Sequence, residues 1–465
     1  MNSYPSKSKE AYKLMHDGVL ALARAERQGL RVDVEYVQTK KQHLTRKIER
    51  LEEQFKETKF YKHWDHSMRR HPNIYSNAQL AAFLYKVKKI KPPKETESGQ
   101  GATDEEALLS LEIPELKDLI QIRKLRKIRD TYLEGFEKEA VYGYIHPSFN
   151  LHLVRTFRSS SDRPNFQNIP KRDYESMQTV RKALYPRPGH QLLEVDYSGL
   201  EVRIAACYHK DTTMLEYLKT GYDMHSDMAQ QLFVIDGFDK SKPNHAYLRS
   251  ATKNGFVFPQ FYGDWYGSCA EYLACNWGKL PKSHFLYTQG VEVEKGRLLG
   301  QHLSGKGIHT YKMFEEHVKK IEADFWGRRF FEYAQWKEKW WKEYQKKGYI
   351  EMLTGFTCSG VMSRNDCINY PVQGSAFHCL LWSFNRLDAE IRRKKIDSKI
   401  VGQIHDAIVL DVNPQERDDL VVMIKSITTV ELPQAWPWII VPLEVDFELC
   451  PIDASWAEKK SYGPH

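Results

Sequence analysis

The stretch VGQIHDAIVLDV, Val401 to Val412, places an acid between two short β-branched apolar runs. Such runs read as buried or half-buried strands, and a carboxylate at their junction is expensive unless something neutralises it. A cation would do so, but one carboxylate seldom holds a catalytic metal alone. LLEVDYSGLEVR, Leu192 to Arg203, supplies a second: Asp196, like Asp406, follows an apolar strand and is expected at an exposed strand end. The two lie 210 positions apart, so only folding can bring them together. Carboxylates at neighbouring strand ends suit a pair of Mg²⁺ ions, which take oxygen ligands shared with substrate phosphates. Taken singly, each aspartate is as readily a turn cap.

The rest of the chain narrows the class. Its 465 residues suffice for two or three subdomains, and 28% charged with 41% hydrophobic residues is an ordinary globular composition. A formal net charge of +8 favours a polyanionic partner. Seven cysteines (207, 269, 275, 358, 367, 379 and 450) show no CxxC spacing and read as reduced core residues. No apolar run reaches signal-peptide or membrane-spanning length, so no membrane is expected and the location is read as cytoplasmic, in a bacterium or a phage-infected host.

Along the chain, Ala11 to Glu57 has helical periodicity, with Val37, Leu44, Ile48, Leu51 and Phe55 near one face and a break at GLRVD, Gly29 to Asp33. Asp33 reads as a helix cap, and Ser76 caps a helix expected to end before Pro92 and Pro93. TESGQG (96–101) reads as a flexible turn before a second capped start. The next helix turns Ile122, Leu125, Ile128 and Tyr132 inward and Arg123, Lys124, Arg126, Lys127 and Arg129 mostly outward. Past Gly143 come short strands, residues 211–347 are helical and aromatic-rich, and strands return at KIVGQIHD, AIVLDV and IIVPLEVDFEL. The expectation is a mixed α+β fold: a helical N-terminal arm, a core split in sequence, and a helical insertion between its halves.

The words around the two aspartates resemble a known family. DYSGLEVR with IHDAIVL is similar to the catalytic motifs of the family A DNA polymerases, the class of bacterial DNA polymerase I and its phage and mitochondrial relatives. RSSSDRPNFQNIP (158–170), DMHSDMAQQLF (223–233), RSATKNGFVFPQFYG (249–263) and NYPVQGSAF (369–377) resemble that family's further motifs in the same order, and AERQGLRVD and ASWAEK also have counterparts. The resemblance implies a right-hand fold: a palm-edge segment over 1–30, thumb 31–140, first palm part 141–210, fingers 211–364 and second palm part 365–465. It implies DNA-templated extension of a primer 3′-hydroxyl with dNTPs by two-metal phosphoryl transfer. Primer-template DNA is then the partner, with two Mg²⁺ (Mn²⁺ as substitute) as cofactors.

Carried onto this chain, the resemblance makes Asp196 and Asp406 the metal-binding catalytic pair, with the Tyr197 carbonyl as a further ligand. Arg249 and Lys253, at i and i+4 on one helix face, would hold the triphosphate with His225, Lys253 also serving catalysis. Phe258 and Tyr262 would stack near the nascent pair, and Glu201 would exclude a ribose 2′-hydroxyl. Arg158, Gln373, His405 and Asn369 would contact the primer terminus and minor groove, and the basic thumb helices would grip phosphates.

The chain departs from the pattern in places. Ala407 stands where many relatives carry glutamate, and Gly199 where bacterial members carry glutamine. One extra residue separates Lys253 from Phe258, which makes Lys253 the less secure of the two cations and calls for a bulge or shifted turn. Pro259 calls for a kink. No proofreading exonuclease segment is read ahead of the thumb, so intrinsic 3′→5′ trimming is not expected, and a separate exonuclease or processivity factor is left open as a partner. Two alternatives stay open: a related single-subunit RNA polymerase or reverse transcriptase, and a polymerase-derived DNA-binding factor without catalysis.

Overall fold

The computed structural model describes residues 6–68, 71–93, 95–96, 99–171, 173–282 and 288–463. Glu97 and Ser98 of the expected flexible turn, and residues 1–5, 94, 283–287, 464 and 465 of the expected subdomain ranges, with 69, 70 and 172, lie outside them. The fold is the mixed α+β type that the sequence calls for.

Its centre is an antiparallel sheet of five strands: β1 (Gln191–Tyr197), β2 (Lys399–Ile404), β3 (Ala407–Val412), β4 (Val445–Leu449) and β5 (Lys460–Tyr462), in the spatial order β2-β3-β1-β4-β5. Every residue of β3 is buried, as are all of β1 except Asp196, so these two strands are covered on both faces and carry Gln191, Glu194 and Asp411 buried among their apolar residues. Of IIVPLEVDFEL only Val445–Leu449 is strand; the segment before it, with Pro442, runs across as irregular chain. Helices Ser6–Gln28 and Arg364–Lys394 pack against the sheet and each other. The second carries Gly374 against the main-chain oxygen of Thr156, where a Cβ would collide.

Capping follows the sequence closely. Asp33 accepts from the Tyr36 N–H at 2.8 Å, opening helix Val34–Glu57, and Val37, Leu44, Ile48 and Phe55 of that helix are buried while Leu51 is half-buried. The break before it is a short strand, Leu30–Val32. Ser76 caps Asn77–Ala81, and the helical run continues through a π-helical stretch to Val87, ending before Pro92 and Pro93 as expected. Asp104 caps Glu105–Ser110.

Two apolar cores result. One joins the N-terminal helices to the sheet; the other is built from residues 206 to 333 with Val441. The second core supports helix Pro243–Thr252, which continues through a π-turn, Lys253–Val257, into helix Phe258–Tyr262. The extra residue is absorbed there, as one wide turn. Pro259 opens the last segment, where its missing N–H is least costly.

Candidate active site

Register brings the two aspartates together. On β1 Asp196 pairs across to Ala407 of β3, and Asp406 precedes Ala407 in the two-residue turn that joins β2 to β3. The Tyr197 N–H donates to the Asp406 carbonyl at 3.1 Å, fixing the two main chains side by side. His405, first residue of the turn, sits at φ +51°, a backbone region that non-glycine residues seldom occupy outside tight hairpins. Ahead of it, the Gln403 carboxamide accepts from Ser159 and Gln167 at 2.7 Å each, so the 158–170 segment is buttressed onto β2.

The charges around the pair are dense. Burial pushes the Asp406 carboxyl up to about 6, reinforced by Glu201 and Asp196 and opposed by Arg158 and Lys171. Asp406 Oδ1 is buried without a hydrogen-bond partner, its nearest cation being Arg158 Nη2 at 3.6 Å. Lys171 Nζ lies 2.6 Å from Asp196 Oδ2. Beneath Asp196 on the same sheet face, Glu194 is fully buried and meets Arg181 at 3.0 Å, Lys459 at 2.7 Å and the Trp456 indole at 3.0 Å. Burial works against that carboxylate, but Arg181 and Lys459 outweigh it and hold its pKa below the usual range.

Glu201, in the first turn of helix Leu200–His209, is clamped from two sides. Arg158 Nη1 lies 3.2 Å from one carboxylate oxygen, and the Tyr262 hydroxyl donates to the other at 2.6 Å. Burial and Glu201 push the Tyr262 phenol well above its usual pKa, keeping it a donor. Glu201, Phe258, Tyr262, Asn369 and Gln373 line one small pocket beside the aspartates.

The two cations have different surroundings. Lys253 lines the same cleft as Asp196 and Asp406, its ammonium 5.2 Å from the Phe258 ring centroid. Arg249 instead gives its Nε to Asp223 at 2.8 Å, an acid that also caps helix Met224–Leu232 and meets Lys240 at 3.3 Å. His225 packs edge-on to Phe258 at 5.6 Å. Burial, with Arg249 and Lys253 close by, drives it down to about 4, so at neutral pH it is an uncharged imidazole whose Nδ1 is buried and unpartnered.

The cleft itself holds about 1340 Å³ and is walled by Arg123, Lys124 and Lys127 on one side and by Asp196, Tyr197, His405, Asp406 and Lys253 on the other. Tyr197 turns its hydroxyl into the core, 2.8 Å from Ser383, so what it offers the cleft is main chain. The basic helix face is less outward than expected. Arg123 donates to the Ile74 carbonyl, Lys124 pairs with Asp173 at 2.7 Å, and Arg126 and Arg129 share Asp130; Lys127 is exposed. Ile122, Leu125, Ile128 and Tyr132 are buried as their spacing requires.

Two adjacent carboxylates, one with an orphaned buried oxygen, and a neighbouring main chain form a donor set that fits a hard divalent cation. Among the described residues no three His, Cys, Asp or Glu side chains are grouped to hold a metal by themselves, so water or substrate oxygens would complete the shell of an ion held there. The sequence reading missed Lys171 and the buried Glu194 cluster. Glu194 could have been found, since it shares a strand face with Asp196 two residues on; Lys171 had no signal beyond adjoining the 158–170 block.

The sequence model for DNA polymerase family A matches residues 34–279 and 308–458. Curated relatives include DNA polymerase I of Aquifex aeolicus, 29% identical over 433 residues, covering 92% of this chain and 64% of that protein. DNA polymerase I of Lactococcus lactis subsp. lactis is 28% identical over 388 residues, covering 80% of this chain and 38% of that protein. The chain thus spans less than two thirds of these relatives' length. Among solved structures, the POL domain of Pol1 from M. smegmatis in complex with DNA primer-template and dNTP superposes with a TM-score of 0.71 at 24% identity, over 95% of this chain and 70% of that one.

Proposed function

The chain belongs to DNA polymerase family A, and from that premise we propose that it extends a primer 3′-hydroxyl with dNTPs on a DNA template. The observation that carries the reading is the side-by-side placement of Asp196 and Asp406, tied by the Tyr197 N–H to Asp406 carbonyl bond and opening on a cleft with basic walls.

In this reading, residues 31–140 act as thumb, 141–210 and 365–465 as palm, 211–364 as fingers and 1–30 as a palm edge. Asp196, Asp406 and the Tyr197 main chain would hold two Mg²⁺ or Mn²⁺ ions. Bound there, such ions supply Lewis-acid charge to the attacking and leaving oxygens of an in-line phosphoryl transfer. Lys253 faces the triphosphate from the fingers, and Arg249 reaches it on leaving Asp223. His225, neutral, offers a hydrogen bond instead of a charge. Glu201, held by Arg158 and Tyr262, fills the space a ribose 2′-hydroxyl would need, while Phe258 and Tyr262 stack against the new base pair. Arg158, Gln373, His405 and Asn369 face the primer end, where minor-groove acceptors shared by all base pairs let geometry be checked without reading sequence. Nothing in this reading gives these 465 residues a route to trim a mismatched end.

The test is primer extension by the purified chain with each dNTP, each NTP and a 3′-mismatched primer. Template-directed addition of dNTPs alone, without shortening of the mismatched primer, is the expected result. Equal use of NTPs would move the chain to the RNA-polymerase alternative, and binding without extension to the DNA-binding alternative.

A further inference from the structure

Lys171 lies immediately after the segment 158–170, and its ammonium is 2.6 Å from Asp196 Oδ2 and 3.9 Å from Glu194 Oε1. Arg181, Lys459 and Trp456 all meet Glu194 through Oε2, so that carboxylate keeps two cations and an indole when Lys171 moves, although its buried Oε1 has Lys171 as its closest cation. Among the described residues, Lys171 alone forms an ion pair with Asp196. The lysine therefore stands at the oxygen that a divalent ion would use. It also joins the acidic and the basic sides of the cleft: Asn168, Ile169 and Pro170 before it continue the wall toward Lys124 and Lys127. Its side chain is 43% exposed, against 30% for Asp196, so it can leave without opening the core.

We propose that Lys171 is a positioning residue that balances the Asp196 charge while no divalent ion is bound, and that on ion binding it is released to a backbone phosphate of the primer strand. The proposal rests on the polymerase reading for its second half only. An ammonium 2.6 Å from Oδ2 and a divalent ion on the same carboxylate repel each other strongly, so entry of the ion favours departure of the ammonium. The released ammonium finds its nearest new anion in the nucleic acid that fills the cleft. Ion binding and primer grip are then linked, each favouring the other.

The exchange is tested in the whole chain with Lys171→Met and Lys171→Arg. Mn²⁺ binding without DNA or nucleotide, followed by electron paramagnetic resonance, should tighten about five-fold in Lys171→Met, the worth of a partly exposed ion pair, and stay near wild type in Lys171→Arg. The salt dependence of primer-template binding is then compared in EDTA and in Ca²⁺. With Ca²⁺ the log–log slope of Lys171→Met should be about one unit shallower than wild type, the loss of one phosphate contact; in EDTA the two slopes should coincide. Unchanged Mn²⁺ affinity overturns the placeholder role, and a slope difference of the same size in EDTA and Ca²⁺, or in neither, overturns the release. Wild-type primer extension, run in parallel, reports separately on the polymerase reading, because the Mn²⁺ titration needs no substrate.

Discussion

In the sheet, each acid is positioned by main chain: Asp196 by its register with Ala407, Asp406 by a two-residue turn and a bond from Tyr197. The cations Arg249 and Lys253 instead ride on a helix with a π-turn in its middle, and their heads meet side-chain partners, Asp223 for Arg249 and the Phe258 ring for Lys253. Strand pairing leaves an acid little freedom, since a slip of one residue would turn the whole strand face over. Helical cations keep several bonds' worth of rotamer choice. The sheet side is built to hold still and the helix side to rearrange, which would suit the stepwise addition proposed above.

The comparison is broken most sharply at the sheet. Asp406→Ala should cut extension by about a thousand-fold or more while primer-template affinity stays within about three-fold, because several kcal/mol of transition-state charge stabilisation are lost; single-turnover extension and a gel-shift titration measure the two. Beneath the site, Arg181→Met removes one of the two cations bonded to the buried Glu194, leaving Lys459, and should cost about 1.5–3 kcal/mol of stability in urea unfolding. Glu201→Ala removes the clamped carboxylate and should weaken discrimination against ribonucleotides by about a hundred-fold, read as the ratio of kcat/KM for dNTP and NTP. On the helix side, Lys253→Ala should raise the KM for dNTP by about ten-fold, the loss of one charge-assisted bond.

The last effect concerns pH. The Asp406 carboxyl titrates near 6 in the fold and near 3.8 when unfolded. A raised carboxyl pKa means the folded state binds more protons in that window, so stability falls as pH rises from about 4 to 6. Asp406→Asn should therefore melt at a higher temperature than wild type at pH 8 in EDTA, with the gap closing below pH 4. Added Mg²⁺ should narrow it at pH 8 by stabilising the wild type alone.

The sheet was legible in the sequence because apolar strands with an acid at the end carry their own signature, and ordered motifs joined positions 210 apart. Caps at Asp33, Ser76 and Asp104 were legible for the same reason: each satisfies a local need of the helix beginning after it. What periodicity could not supply was pairing between side chains from distant segments. Arg249 was read as facing substrate, yet Asp223 holds it; the basic helix was read as outward, yet Asp130 and Asp173 engage it. Lys171 was invisible because nothing local tells a lysine which acid lies across a cleft.

The π-turn at Lys253–Val257 shows how a chain can grow by one residue inside a helix without readdressing the side chains beyond it. In an α-helix, an inserted residue would swing every later side chain about 100° around the axis. Here the surplus is swallowed in one loop of backbone, and the Phe258 ring still lies near both Lys253 and His225. Length and facing are thus separable quantities in this helix. Removing Asn254 should tighten the turn to an ordinary one while the downstream aromatic face keeps its neighbours.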